Sequence, residues 1–64
     1  MLKRNQTLRT PEELEEALRT GVSVMVMQGG KLLDYGGPIE RYSEDAVYID
    51  GGYYLTMNCE FRVR

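Results

Sequence analysis

The sequence predicts an α+β domain in which one short N-terminal helix packs on a small barrel of four or five antiparallel strands. Three observations predict it. A capped, acidic helix signal runs over residues 11–20, and from Val22 onward the hydrophobic pattern changes to a two-residue alternation. Glycine pairs at 29–30, 36–37 and 51–52 then interrupt that alternation at short intervals. With 64 residues, a single domain covering 1–64 is the expectation.

The helix comes first. In "TPEELEEALRTG", Thr10 stands at the N-cap and Pro11 at the first helical position, where a missing N–H leaves no helical bond unmade. Glu13, three residues after the cap, completes a capping box. Glu12, Glu13, Glu15 and Glu16 crowd the positive end of the helix dipole, and Arg19 sits near the negative end. Leu14, Ala17 and Leu18 share one face, enough to dock on a sheet, and Gly21 stands where the helix terminates.

Everything after Gly21 reads as strand. "VSVMVM" opens a first strand at 22–28 with Val22, Val24 and Val26 on one side and Ser23, Met25 and Met27 on the other, so both sides should be covered. Gly29-Gly30 marks a hairpin. The second strand, 31–42, must bend or bulge at "GGP", because Pro38 has no N–H for a ladder. "SED" leads into a third strand at 46–50 and "DGG" into a fourth at 53–57. In the fifth, 59–63, Cys59, Phe61 and Val63 alternate with Glu60, Arg62 and Arg64. One helix followed by short antiparallel strands at this spacing predicts a closed sheet of SH3-like shape.

The glycines also raise a chemical question, since "QGGKLLDYGG" places Lys31 directly after a pair. A phosphate-binding loop needs G-x-x-x-x-G-K-[ST] between a strand and a helix. Here Met25 stands where the first glycine belongs, Leu32 where the hydroxyl belongs, and a strand follows. No G-x-G-x-x-G occurs either. The glycines are expected to be corners.

No cofactor and no metal are expected: the chain has no histidine and one cysteine, Cys59, so neither a zinc set nor an internal disulfide can form. Cys59 lacks a base to activate it and reads as a small buried hydrophobe. Asp34, Glu40, Glu44, Asp45 and Asp50 cluster around predicted turns, with no spacing that sets up an acid–base pair. Catalytic residues are not expected, and the protein is read as a non-enzyme. A net charge of −2 and a pI near 5.0 do not favour nucleic-acid binding by phosphate neutralisation. "MLKRNQ" is too short and polar for a signal peptide, no apolar run could span a bilayer, and a free thiol suits a reducing compartment. A soluble cytoplasmic protein is expected, without membrane contact. A core this small gains from association, so a protein partner or a homo-oligomer is expected.

Five of the six aromatic residues are tyrosines, at 35, 42, 48, 53 and 54. Tyrosine joins a flat apolar face to a polar tip and suits interfaces. Alternation sets Tyr48 opposite Val47 and Ile49 and groups Tyr54 with Thr56 and Asn58, which puts both outside; Tyr53 falls with Leu55 and Met57. With Arg41, Arg62 and Arg64 beside them, Tyr48 and Tyr54 form the candidate interaction surface. The acidic helix face of Glu12, Glu15 and Glu16 is a solvated face or a second candidate, for a basic partner.

The stretch "VSVMVMQGGKLLDYGGPIERYSEDAVYI", followed by "YLTMN" and "EFRVR", resembles the Sm-like fold, a small bent barrel with an N-terminal helix before five strands. Two residues around "DYGG" are extra, and the family's RNA-contacting fourth-strand motif has no counterpart. The resemblance implies a ring oligomer that handles single-stranded RNA. Residues and resemblance together lead first to a non-enzymatic protein-interaction or regulatory module that self-associates or binds another protein. One alternative is an Sm-like single-strand nucleic-acid binder using Tyr48, Tyr54, Arg62 and Arg64. The other is a small acidic inhibitor of an enzyme or polymerase, acting through Glu12, Glu15 and Glu16.

Overall fold

A computed structural model describes residues 2–64. Helix α1, Pro11–Thr20, is followed by five strands: β1 Ser23–Gln28, β2 Lys31–Tyr42, β3 Ala46–Ile49, β4 Gly52–Leu55 and β5 Glu60–Val63. The helix starts where its cap residues dictate. The Thr10 hydroxyl accepts from the Glu13 N–H at 3.2 Å, and Glu13 Oε1 accepts from the Thr10 N–H at 3.0 Å. At the other end, Gly21 donates its N–H to the Ala17 carbonyl. Leu14 and Ala17 are the buried residues of the helix.

All strand pairs are antiparallel and form one sheet in the order β4-β3-β2-β1-β5. Residues 31–38 of β2 face β1, and residues 39–42 face β3, so this one long strand carries the bend of the sheet. Extra residues on β2 shift its register against β1 between Val24 and Met27, and against β3 between Ile39 and Arg41. Bulges of this kind sharpen twist and turn a strand over a core. Gly36 lies in one of them with φ +66°, and a Cβ there would run into the backbone carbonyl of Val24. The β1–β2 and β3–β4 hairpins turn through Gly29-Gly30 and Asp50-Gly51, each pair with both φ angles positive, as two-residue turns between right-twisted strands require.

The bend wraps the sheet around a single cluster of Leu8, Leu14, Ala17, Val24, Val26, Ile39, Val47, Ile49, Phe61 and Val63. Val24, Val26, Val47 and Ile49 are its most enclosed large side chains. Met25 and Met27, on the far side of β1, are half-buried, so that strand is partly covered on both faces.

The expected closed barrel does not form. β4 and β5 are the two edges of the sheet, and no hydrogen-bonded ladder joins them. The reason lies in two backbone facts. β4 stops at Leu55, short of the expected residue 57, because the N–H groups of Asn58 and Cys59 both turn back to the Leu55 carbonyl at 3.1 Å. The outer edge of β5 is taken by residues 5–8. Asn5 and Leu8 donate to the Val63 and Phe61 carbonyls at 2.8 and 2.7 Å, and the Val63 N–H donates to the Gln6 carbonyl at 2.9 Å. Leu8 and Leu14 then line the opening that closure would have sealed, together with Thr56, Cys59 and Phe61.

Candidate interaction surface

The outer face of β2, β3 and β4 carries a row of three directly opposed residues. Arg41 pairs with Tyr48, and Tyr48 pairs with Tyr53. The Arg41 guanidinium carbon lies 4.1 Å from the centre of the Tyr48 ring, and the Tyr48 and Tyr53 ring centres are 5.8 Å apart at an interplanar angle of 37°. Ordinary alternation from the buried Ile39 would send Arg41 toward the core. The bulge between Ile39 and Arg41 inserts Glu40 and returns Arg41 to the outer face opposite Tyr48. A surface cation–π contact and a tilted aromatic pair each contribute on the order of 1 kcal/mol, so the row orders its own side chains more than it stabilises the fold.

Beside the row, Tyr53, Leu55 and Met57 are 63%, 40% and 87% exposed. Residues 51–59 contain no charged side chain. The result is an ordered aromatic strip with an uncharged apolar margin and one cation, Arg41, at its β2 end.

Tyr54 is not part of it. Its expected outward position is reversed: the ring is half-buried against the core, and its hydroxyl donates to Asp34 Oδ2 at 2.6 Å. That bond links β4 to the first half of β2 over the intervening β3. Asp34 also accepts from the Gly36 N–H at 3.0 Å, and these donors, Gly36 first, hold its carboxyl below the usual range. The same bond to Asp34, followed by burial, raises the Tyr54 phenol above its ordinary value. Sequence parity mistook the two neighbours because tyrosine is equally suited to either side of a sheet.

The remaining predicted residues are spread out. Arg62 projects from β5 opposite Met25, with β1 and β2 lying between its strand and Tyr48. Its Nε is buried without a hydrogen-bond partner. Arg64 follows β5 and lies 5.9 Å from the ring centre of Tyr35, on the β1–β2 hairpin side. The set Tyr48, Tyr54, Arg62 and Arg64 is therefore not assembled into one surface. Glu12, Glu15 and Glu16 do share a shallow depression with Pro11, Arg19 and Tyr42. Within it the Tyr42 hydroxyl donates to Glu15 Oε1 at 2.8 Å, which, with burial and the charges of Glu15 and Glu12, raises the Tyr42 phenol.

Two residues of structural weight, Gln6 and Leu8, escaped the sequence reading. Gln6 donates its side-chain amide to Glu13 Oε2 at 2.9 Å and accepts the Val63 N–H on its backbone carbonyl, so it ties helix to sheet edge. The only available signal was a lone leucine in a polar stretch.

Among the described residues, no group of three His, Cys, Asp or Glu side chains is placed to hold a metal ion. No helix among them is long and apolar enough to cross a membrane. A scan against protein-family models finds no match, and neither does a search of curated proteins or of solved structures.

Proposed function

We propose that this chain is a non-enzymatic protein-interaction module, an SH3-like sheet left open at one side, whose working surface is the outer face of β2, β3 and β4. The observation that carries the reading is the in-register row Arg41–Tyr48–Tyr53, continued by Leu55 and Met57. Aromatic residues with an arginine neighbour, already ordered before binding, are the composition and the preorganisation that protein interfaces favour. The acidic balance of the chain supports a protein partner over a polyphosphate one: Glu40, Glu44, Asp45 and Asp50 all sit on or beside the strands that carry the row. The free thiol of Cys59 fits a cytoplasmic setting.

Affinity capture with wild-type protein and with Tyr53→Ser and Arg41→Ser variants tests the reading. At least one polypeptide, this chain itself included, is expected on the wild type, with recovery reduced about tenfold on variants whose circular dichroism is unchanged. Equal recovery on all three, or salt-dependent binding of short RNA in place of protein, would overturn it.

A further inference from the structure

We propose that the partner at this surface is a second copy of the chain, joined by antiparallel pairing of β4 with β4 across a two-fold axis. The inference rests on the reading of the outer face as an interaction surface, and it names the occupant.

A sheet that does not close has two edges, and this molecule treats them differently. The β5 edge is covered by residues 5–8 of the same chain. The β4 edge is covered only at its last residue, where Asn58 and Cys59 bond the Leu55 carbonyl. Gly52 opposes Ile49 across the hairpin, Tyr54 opposes Val47, and the Thr56 N–H donates to the Asp45 carbonyl at 2.8 Å. In an antiparallel ladder the backbone groups of alternate residues point to the same side. Residues 52, 54 and 56 therefore face β3, while the N–H groups of Tyr53 and Leu55 and the Tyr53 carbonyl face outward. The Leu55 carbonyl is already occupied by Asn58 and Cys59.

Proteins usually blunt such an edge with a charge, a proline or a covering segment. Neither a charge nor a proline stands between Gly51 and Cys59. A two-fold axis at Tyr54 would set Tyr53 opposite the partner's Leu55, so that each Leu55 N–H reaches the Tyr53 carbonyl of the other copy. No residue of β4, Gly52–Leu55, carries a charge, so no two like charges meet along the paired strands. The pairing joins both aromatic rows into one ten-stranded surface.

Area decides whether the edge suffices. A standard interface buries about 800 Å² on each partner, about a fifth of this chain's 4400 Å² surface. Four residues of backbone pairing fall short of that. Tyr53, Leu55 and Met57, the apolar side chains bordering the edge, are the ones positioned to supply the rest.

The experiment is sedimentation equilibrium of the full chain from micromolar to millimolar concentration, with hydrogen exchange of the Tyr53 and Leu55 amides. The wild type is expected to move from 7.4 kDa to twice that mass, with the Leu55 amide becoming protected as it does and the Tyr53 amide, which faces the occupied Leu55 carbonyl, staying exchangeable. Leu55→Pro removes an outward N–H and leaves the bonds to β3 intact; Tyr53→Lys places a charge on the edge. Each is expected to weaken the dimer about tenfold or more without altering the circular dichroism of the dilute protein. A wild type that stays monomeric at millimolar concentration overturns the proposal, as does a dimer unaffected by Leu55→Pro. If the chain is monomeric but the Tyr53 face still retains a different polypeptide in the capture test, the β4 proposal falls and the interaction reading stands. If capture also fails, both fall.

Discussion

Gly36 shows how much of this fold one residue can decide. Its φ of +66° lies in the region that side-chain-bearing residues avoid, and the space a Cβ would fill belongs to the Val24 carbonyl. Gly36 also donates its N–H to Asp34, and Asp34 receives Tyr54, so the bulge, the carboxylate and the inward tyrosine form one connected unit. Changing Gly36 to alanine should therefore both strain the backbone and push β1 from β2. The loss should be at least about 2 kcal/mol, or a fall in Tm of about 10 °C for a domain of this size. Urea denaturation checks it, and a change within about 0.5 kcal/mol, the scatter of neutral surface substitutions, would show that the bulge relaxes freely. Glu13 is the other residue with several attachments. The N–H of Arg9, the amide of Gln6 and the N–H of Thr10, in that order, hold its carboxyl below the usual range.

At the scale of elements, the segment 5–8 acts as a sixth strand at the edge of β5, although its side chains give it little strand character. It is held by three backbone bonds and by Leu8, which is 6% exposed within the core. Leu8→Ala should cost about 2–4 kcal/mol, as truncation of a buried leucine does. Its signature is directional: the Val63 amide, bonded to the segment, should lose exchange protection well before the Arg62 amide, which faces β1. Equal deprotection of both would mean that the segment and β5 open together with the whole sheet. Elements defined by local chemistry were legible in the sequence. Cap, proline and terminal glycine fixed α1, and the glycine-containing pairs fixed both tight turns. Parity within strands was legible only where no bulge intervened. Glu40 reverses the face of Arg41, and the early end of β4 at Leu55 leaves Met57 outside the strand that its hydrophobicity suggested. Of the five residues predicted for the surface, Tyr48 and Arg41 stand together. Tyr53 was missed because an apolar neighbour is no evidence of burial on an uncovered edge.

For the whole molecule, the illegible property was closure, because it depends on contacts between residues 5–8 and 61–63 rather than on any local pattern. Alternation and turns announce strands, but only the occupation of an edge decides whether a sheet meets itself. Side-chain clasps tie the open sheet across itself and to the helix: Tyr54 to Asp34, Tyr42 to Glu15, and Gln6 to Glu13. These clasps titrate. Glu13 and Asp34 have carboxyls held below their ordinary values of 4.5 and 3.8. In the window below those values the unfolded chain binds more protons than the native one, so stability falls as pH falls through it and on through the depressed native values. Tyr42 and Tyr54 are raised above 10.0, so the native state holds its protons longer than the unfolded chain, and stability falls again as pH rises past that value. Urea midpoints measured across pH should therefore form a plateau with an acid and an alkaline shoulder. Asp34→Asn should flatten the acid limb and Tyr54→Phe the alkaline one, each by removing one titrating member of the same clasp. An acid limb equally steep in Asp34→Asn would assign it to Glu13 and the other carboxylates, and the Asp34–Tyr54 bond would lose its role in joining the two halves of the sheet.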